Sequence, residues 1–340
     1  SLHDALPICR KRNFIFGSIA LVALGVIAFS CATVNQIFGS PQLAVSGVSI
    51  KSLDLEGITF NMDYSISNPY PVGFSIKSVA ADVMYDTTKF TSLSADEGVK
   101  VASGGTQKNA LSFKIPYETI ISMAKNGISG KTALPFSISG NAALDLSAVS
   151  FLENQSLTIP FTKSFDVPVF KPSLSVSNVA LQKPTLTELK DAFIGGGMGA
   201  TKALSVATAI ISGNSVVDTI FDGVNLDMNL NFDVNVGSEG SAPWKYVLEK
   251  CSLQTASGAL ANVTAQGTNT ISSNGTIPIT AKLNTMQAGK FIAQLLNKSG
   301  TNPVFTIDSG LSFTDLPSYA QNLPLSYSKE IPLSSITTKK

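Results

Sequence analysis

The chain has 340 residues, enough for two ordinary domains. Charged residues make up only 14%, and 24 basic residues balance 23 acidic ones. That leaves no electrostatic footprint for nucleic acid or for any strongly charged partner. A hydrophobic share of 44% and a mean hydropathy of +0.24 exclude a charge-rich disordered chain. The remainder, rich in Ser, Thr, Asn and Gly, points to an all-β exported protein.

Residues 1–8 (SLHDALPI) resemble a translated sequencing adapter and are set aside. His3, the one histidine of the chain, goes with them. A histidine base, a histidine triad or histidine-ligated zinc is then not expected. Residues 9–31 follow as an export segment. Arg10, Lys11 and Arg12 precede an apolar run from Phe14 to Phe29 and then Ser30-Cys31. A basic head, an apolar run and a small residue before cysteine read as a lipoprotein signal, with Cys31 as the lipid anchor. An uncleaved signal anchor is the alternative, since the run is close to the minimum for crossing a bilayer. Both readings place the chain in a bacterial cell envelope, tethered to a membrane and facing the periplasm or the exterior. With Cys31 acylated and Cys251 remaining, no structural disulfide is expected.

From residue 42 the chain repeats itself. Pro41, Leu43, Val45, Ser46 and Val48 recur as Pro172, Leu174, Val176, Ser177 and Val179. Glu56-Gly-Ile parallels Asp222-Gly-Val, and Asp166-Val-Pro-Val169 parallels Glu330-Ile-Pro-Leu333. The spacing between matches widens early in the second copy, which locates an insertion at about 183–219. Two tandem domains follow, 42–170 and 171–340.

Within each copy the apolar period is two, as in half-buried strands. Ile58 to Ile66, Val79 to Tyr85, Leu111 to Ile115, Phe136 to Leu146 and Ser156 to Phe161 read as strands of the first copy. Val224 to Phe232 and Val304 to Phe313 do so in the second. Each copy also carries a helix, expected after an Ile-Pro: Tyr117–Lys125 and Thr285–Asn297, the latter with Met286, Phe291, Ile292 and Leu295 near one face. In the insertion, Thr185-Leu-Thr-Glu188 has capping-box spacing and opens a helix through Ile194. Gly195-Gly-Gly-Met-Gly199 breaks it, and Thr201–Ser212 forms a second, nearly uncharged helix, giving a hairpin that lies on the sandwich or against the membrane. The architecture expected is two fibronectin- or immunoglobulin-like antiparallel β-sandwiches, the second with this helical insertion.

After the first long strand comes Ser67-Asn68-Pro69-Tyr70-Pro71-Val72-Gly73-Phe74. A period-two strand ending in Asn-Pro, followed by a Pro/Val/Phe stretch and another strand, resembles the type 2 late embryogenesis abundant family, which overlaps the water-stress and hypersensitive-response domain. Asn68 and Pro69 are its structural motif here: asparagine caps the strand end, and proline ends ladder donation and turns the chain to the other sheet. The second copy reads Asp233-Val-Asn-Val-Gly237 at that place, without Asn-Pro. The resemblance implies a sandwich fold, a link to desiccation and stress protection, and no catalytic residues.

Other patterns carry less. Gly195, Gly197 and Ala200, with Asp218 further on, fit a dinucleotide fingerprint as a string, but a helix precedes them where that fingerprint needs a strand. Ser122 and Lys125 have the spacing of a nucleophile pair without its companion motifs. Acidic residues are scattered apart from Asp96-Glu97, so neither a metal site nor a carboxylate pair is indicated. The reading is a non-catalytic, membrane-tethered envelope protein without cofactors, acting in stress protection or as an interaction module. Its partners would be the membrane, lipids or envelope proteins, and not nucleic acid. The rival is a lipid or apolar-ligand carrier at the membrane.

Overall fold

Strand formation follows the alternation closely. In the computed structural model, Ile58, Phe60, Met62, Tyr64 and Ile66 are all buried along one strand, β2 (Gly57–Ser67). The structure describes residues 39–95, 98–127, 130–146, 156–255, 258–265, 269–316 and 320–339. The adapter-like residues 1–8, the export segment 9–31 and Cys31 lie outside them.

The first repeat runs β1 (Gln42–Leu53), β2, β3 (Phe74–Tyr85), β4 (Thr88–Ala95), β5 (Val99–Val101), β6 (Thr106–Pro116), α1 (Tyr117–Gly127), β7 (Ala133–Asp145) and β8 (Ser156–Pro168). The second runs β9 (Phe170–Gln182), α2 (Leu186–Gly195), α3 (Ala200–Ser212), β10 (Asp227–Gly240), β11 (Trp244–Thr255), β12 (Gly258–Ala265), β13 (Thr270–Ile271), β14 (Gly275–Asn284), α4 (Thr285–Asn297), β15 (Val304–Phe313), β16 (Leu323–Glu330) and β17 (Thr337–Lys339). Apart from the α2–α3 hairpin and β17, the two series have the same order of elements.

By packing, the described chain divides into two units whose borders fall inside strands. One takes in the residues up to Val48 with Asn61–Phe113 and Pro135–Asp166; the other takes Ser49–Phe60, Lys114–Leu134 and the chain from Val167 onward.

In the first unit, β1-β2-β6 faces a sheet ordered β4-β3-β7-β8, with β5 also paired to β3. The two sheets meet through Phe113 of β6 and Phe165 of β8, rings 5.8 Å apart. Phe136 of β7 packs on Phe165, Tyr85 and Phe90. Close approach of β7 to β3 leaves no room at Gly140. A Cβ there would lie 2.2 Å from the Ala80 carbonyl oxygen and 2.6 Å from Ala81 Cα, against the partner strand of the same ladder. Gly140→Ala is therefore expected to cost about 3 kcal/mol, as overpacking does where backbone is the obstacle. Urea denaturation checks this, and an unchanged midpoint would refute it.

In the second unit the corresponding strands form a single sheet, ordered β16-β15-β11-β12-β14-β10-β9-β17. The join is a short β12–β14 ladder from Val263–Ala281 to Ala265–Ile279; among the described residues no such pairing links β4 to β6. The sheet nevertheless folds over its own core, because Phe232 of β10 and Phe305 of β15 meet edge to face at 4.5 Å. The protein is an all-β sandwich fold with helical additions.

Several elements differ from their sequence-based expectation. The strand expected from Val224 begins only at Asp227, since Phe221 to Val224 closes a turn held by Val224 N–H to Phe221 C=O. β8 continues past Phe161 to Pro168. The second long helix does not follow an Ile-Pro: Pro278 lies within β14, and α4 starts from Asn284, whose side chain caps Met286 N–H. Phe291, Ile292 and Leu295 are buried as one face, but Met286 is 61% exposed. Non-helical backbone at Ala288 turns that first turn away from the stripe. The insertion helices form as their sequence directs. Thr185 and Glu188 make the reciprocal capping box, and Gly213, with φ of 78°, ends α3 in the left-handed region.

Candidate functional site

Asn68 is one of few buried polar side chains among the described residues, only 2% exposed. Its Nδ2 donates to the carbonyls of Val72 at 2.8 Å and Ala102 at 3.0 Å, with Val101 O at 3.4 Å. Its Oδ1 accepts from Tyr70 N–H, and its own N–H donates to Gly105 C=O. One amide thus ties backbone groups of the 68–73 corner to the β5–β6 turn, where the Ala102 carbonyl also accepts from Gly105 N–H. Pro69, next in the chain, lacks the N–H a ladder needs, so β2 ends at Ser67.

In the second repeat the segment without Asn-Pro behaves differently. Asp233 to Gly237 stays in mid-strand, paired to β9 throughout and to β14 as far as Val236. The turn comes only at Gly240, with φ of 119° and the Val169 carbonyl 2.2 Å from where its Cβ would be. Removing the proline lets the ladder run on, and a glycine supplies the corner instead.

Two surface depressions lie near charged groups. In the first unit, a cavity of about 500 Å³ is lined by Ser46, Asp63, Tyr64, Ser65, Lys108, Asn109 and Ala110. Burial raises the Tyr64 phenol despite a hydrogen bond with Asn109. In the second unit, a cavity of about 310 Å³ is bordered by Ile121, Val169, Lys125 and Glu239. Beside it runs an alternating ion-pair chain from α1 to β9 and β10. Lys125 Nζ sits 2.6 Å from Glu239, whose other oxygen is 3.9 Å from Lys171, and Lys171 also bonds Glu118. Lys125 holds the Glu239 carboxyl below its ordinary range, and the Glu118 hydrogen bond raises Lys171.

A second ion-pair group joins Lys114 to Asp54 at 2.7 Å and Glu56 at 2.9 Å. Burial pushes the Asp54 carboxyl up, but hydrogen bonds from Lys114 and from the N–H groups of Glu56 and Gly57 outweigh it, so its pKa is lowered. A lowered carboxylate pKa contributes stability above the unfolded value and loses it as pH falls through the folded one. Asp54→Asn should therefore narrow the stability gap between pH 7 and pH 3, measured by thermal melts of both proteins; a gap as wide as the parent's would count against this role.

The residues singled out as chemical decoys are not assembled into a reactive centre. Ser122 is exposed on α1, and Lys125 is committed to Glu239. Gly195–Gly199 follows helix α2, with Gly196 against the Gly223 carbonyl and Val224. Cys251 is buried and its thiol is pushed up to about 12 by that burial, which leaves it protonated at neutral pH. Trp244 packs on Phe170 in the core. Among the described residues, no group of three or more His, Cys, Asp or Glu is placed to hold a metal ion. No described helix is long and apolar enough to cross a membrane.

The model of the late embryogenesis abundant protein family matches residues 63–171. That segment is similar to the type 2 family. It contains the Asn68-Pro69 corner, β3 to β8 and the start of β9. Late embryogenesis abundant proteins of this type are stress-related and generally non-enzymatic. Among solved structures, the chain is similar to an Arabidopsis thaliana protein determined in solution, with 13% identity over 37% of this chain and 80% of that one and a TM-score of 0.31. A putative late embryogenesis abundant protein, also determined in solution, is 16% identical over 49% of this chain and 94% of that one, with a TM-score of 0.29. Red sea bream transglutaminase is 9% identical over 88% of this chain and 31% of that one, with a TM-score of 0.23. No curated protein matches the chain.

Proposed function

We propose that this is a non-catalytic, membrane-tethered envelope protein of late embryogenesis abundant type that works through its exterior, in desiccation or stress protection or as an interaction module. The observation that carries this reading is the side-chain filling of the sandwich interiors. Phe232 meets Phe305, Phe170 meets Phe313, and Phe113 meets Phe165 across facing strands at 4.5, 5.0 and 5.8 Å. Interiors packed in this way favour an exterior role over carriage of a lipid inside the fold. The protonated Cys251 and the committed Lys125 support the non-catalytic part. The tether rests on the basic-apolar-cysteine order of residues 10–31.

A strain lacking the gene is expected to survive drying and rehydration less well than its parent, a drop restored by the intact gene. Equal survival would overturn the stress role. Native mass spectrometry of the full chain should give the mass of protein without stoichiometric bound lipid inside the fold, and a retained lipid lost only on unfolding would reinstate the carrier.

A further inference from the structure

Gly275 is a glycine that the fold does not require. Its φ lies outside the left-handed region, and a Cβ on it would come no closer than 3.6 Å to Ile271 or Ser273. Gly140 and Gly240 differ from it, since a Cβ on either would lie 2.2 Å from a backbone carbonyl oxygen. Gly275 forms the end rung of the β10–β14 ladder, opposite Val236. A rung at the end of a ladder opens at lower cost than one inside it. Just before it stands Asn274, exposed in the bend between β13 and β14.

The Asn274 amide is held by one end only. Its Oδ1 accepts from Ser238 N–H at 2.9 Å, and its Nδ2 has no partner among the described residues. A backbone N–H on Oδ1 stands where negative charge develops if a nucleophile adds to Cγ. The nitrogen next along the chain is that of Gly275, and with no Cβ its approach is unhindered. Other asparagines of this unit are placed differently. Asn235 Nδ2 donates to Ser177, Asn284 Nδ2 to Asn225 and Asp227, and Asn297 Nδ2 to the Val216 carbonyl. Val236, Thr285 and Lys298 follow them, each with a side chain in the way.

We propose that Asn274 is a self-modification site, where the Gly275 nitrogen displaces the side-chain amide and water then opens the product to aspartate or isoaspartate. In the first step the bond from Gly275 N to Cγ forms and the Cγ–Nδ2 bond breaks. Nδ2 leaves as ammonia, taking up the proton that Gly275 N gives up, and a cyclic imide remains. In the second step one water adds to either imide carbonyl. Opening at Cγ restores the ordinary backbone with aspartate at 274. Opening at the main-chain carbonyl leaves the backbone running through Cβ, as isoaspartate. Water is the only co-reactant, and each event adds one negative charge. Aspartate keeps an oxygen for Ser238 N–H. Isoaspartate lengthens the backbone ahead of β14, moves that oxygen and disturbs the Val236–Gly275 rung.

The test incubates the native full chain at 37 °C between pH 7 and pH 9 and follows it by peptide mapping and mass spectrometry. A gain of about 1 Da at residue 274 is expected, or about 3 Da in water labelled with oxygen-18, in two separable products. Conversion should quicken as pH rises, because the attacking nitrogen must lose its proton. Asn235, Asn284 and Asn297 should stay unchanged in the same samples. Gly275→Ala, for which the fold has room, should melt like the parent and lose most of the conversion. The labelling uses the parent alone, so it decides the matter even if that variant fails to fold. Hydrogen exchange at Ser238 and 275–277 should quicken in the isoaspartate fraction. Conversion seen only after unfolding in urea would overturn the proposal, since the fold would then protect the site. So would equal conversion in a folded Gly275→Ala, which would mean direct hydrolysis without the imide.

Discussion

Phe170→Ala is expected to destabilise the protein by about 4 kcal/mol, the range for removing a fully enclosed aromatic ring. Phe170 is 1% exposed and opens β9, where its ring touches three others within the second unit. Phe313 lies at 5.0 Å and Trp244 at 6.0 Å, while Tyr117 of α1 lies at 6.4 Å. Deleting the ring removes apolar contact from each of them and leaves a cavity that two strands and a helix cannot close without shifting. Trp244 is the single tryptophan of the chain, so its fluorescence follows unfolding of this unit in urea directly. Phe90→Ala, at a half-buried position in the first unit, should cost much less. Equal midpoints for Phe170→Ala and the parent would mean that the ring cluster is not a keystone of the unit.

Asn68→Asp is expected to cost about 3–5 kcal/mol at neutral pH, as breaking a buried polar arrangement with an uncompensated charge does. The substitution keeps size and shape but turns the Nδ2 donor into an oxygen facing the carbonyls of Val72 and Ala102. The fold then disfavours the carboxylate and raises its pKa above the unfolded value of about 3.9. A group with a raised folded pKa loses stability as pH increases, so the penalty should shrink below the unfolded value, where the neutral acid still donates one hydrogen bond. Calorimetric melts of both proteins at pH 3.5 and pH 7 measure the difference. A penalty independent of pH would place the loss in shape and not in charge. Asn68→Ala, which takes the side-chain partner from the Val72 carbonyl and Tyr70 N–H, should cost about 2–3 kcal/mol at either pH.

These two residues illustrate how differently a site is written in a chain. Asn68-Pro69 stands out locally, because Pro and a turn-forming amide interrupt an otherwise regular alternation. What cannot be read locally is that its amide reaches Val101 and Ala102, more than thirty residues away. Phe170 looks like any apolar residue at a strand start. Its partners at 117, 244 and 313 are set by the way α1, β9, β11 and β15 converge. The ion-pair chain from Glu118 through Lys171 and Glu239 to Lys125 was equally hidden, since no sequence spacing relates those four charges.

By itself the sequence determined the all-β class, the order of elements in the two copies, most strand faces and both helices of the insertion. Each depends on interactions within a few residues: alternation across a pleat, a capping hydroxyl with its glutamate, a glycine able to take positive φ. The tertiary structure alone decided that the second copy's strands join through β12 and β14 into one sheet, and that β10 runs on past the place where the first copy turns. It also decided that Met286 leaves the buried stripe. Those outcomes depend on which distant surfaces compete for the same ladder edge or the same helix face, and that competition is settled only when the whole chain packs.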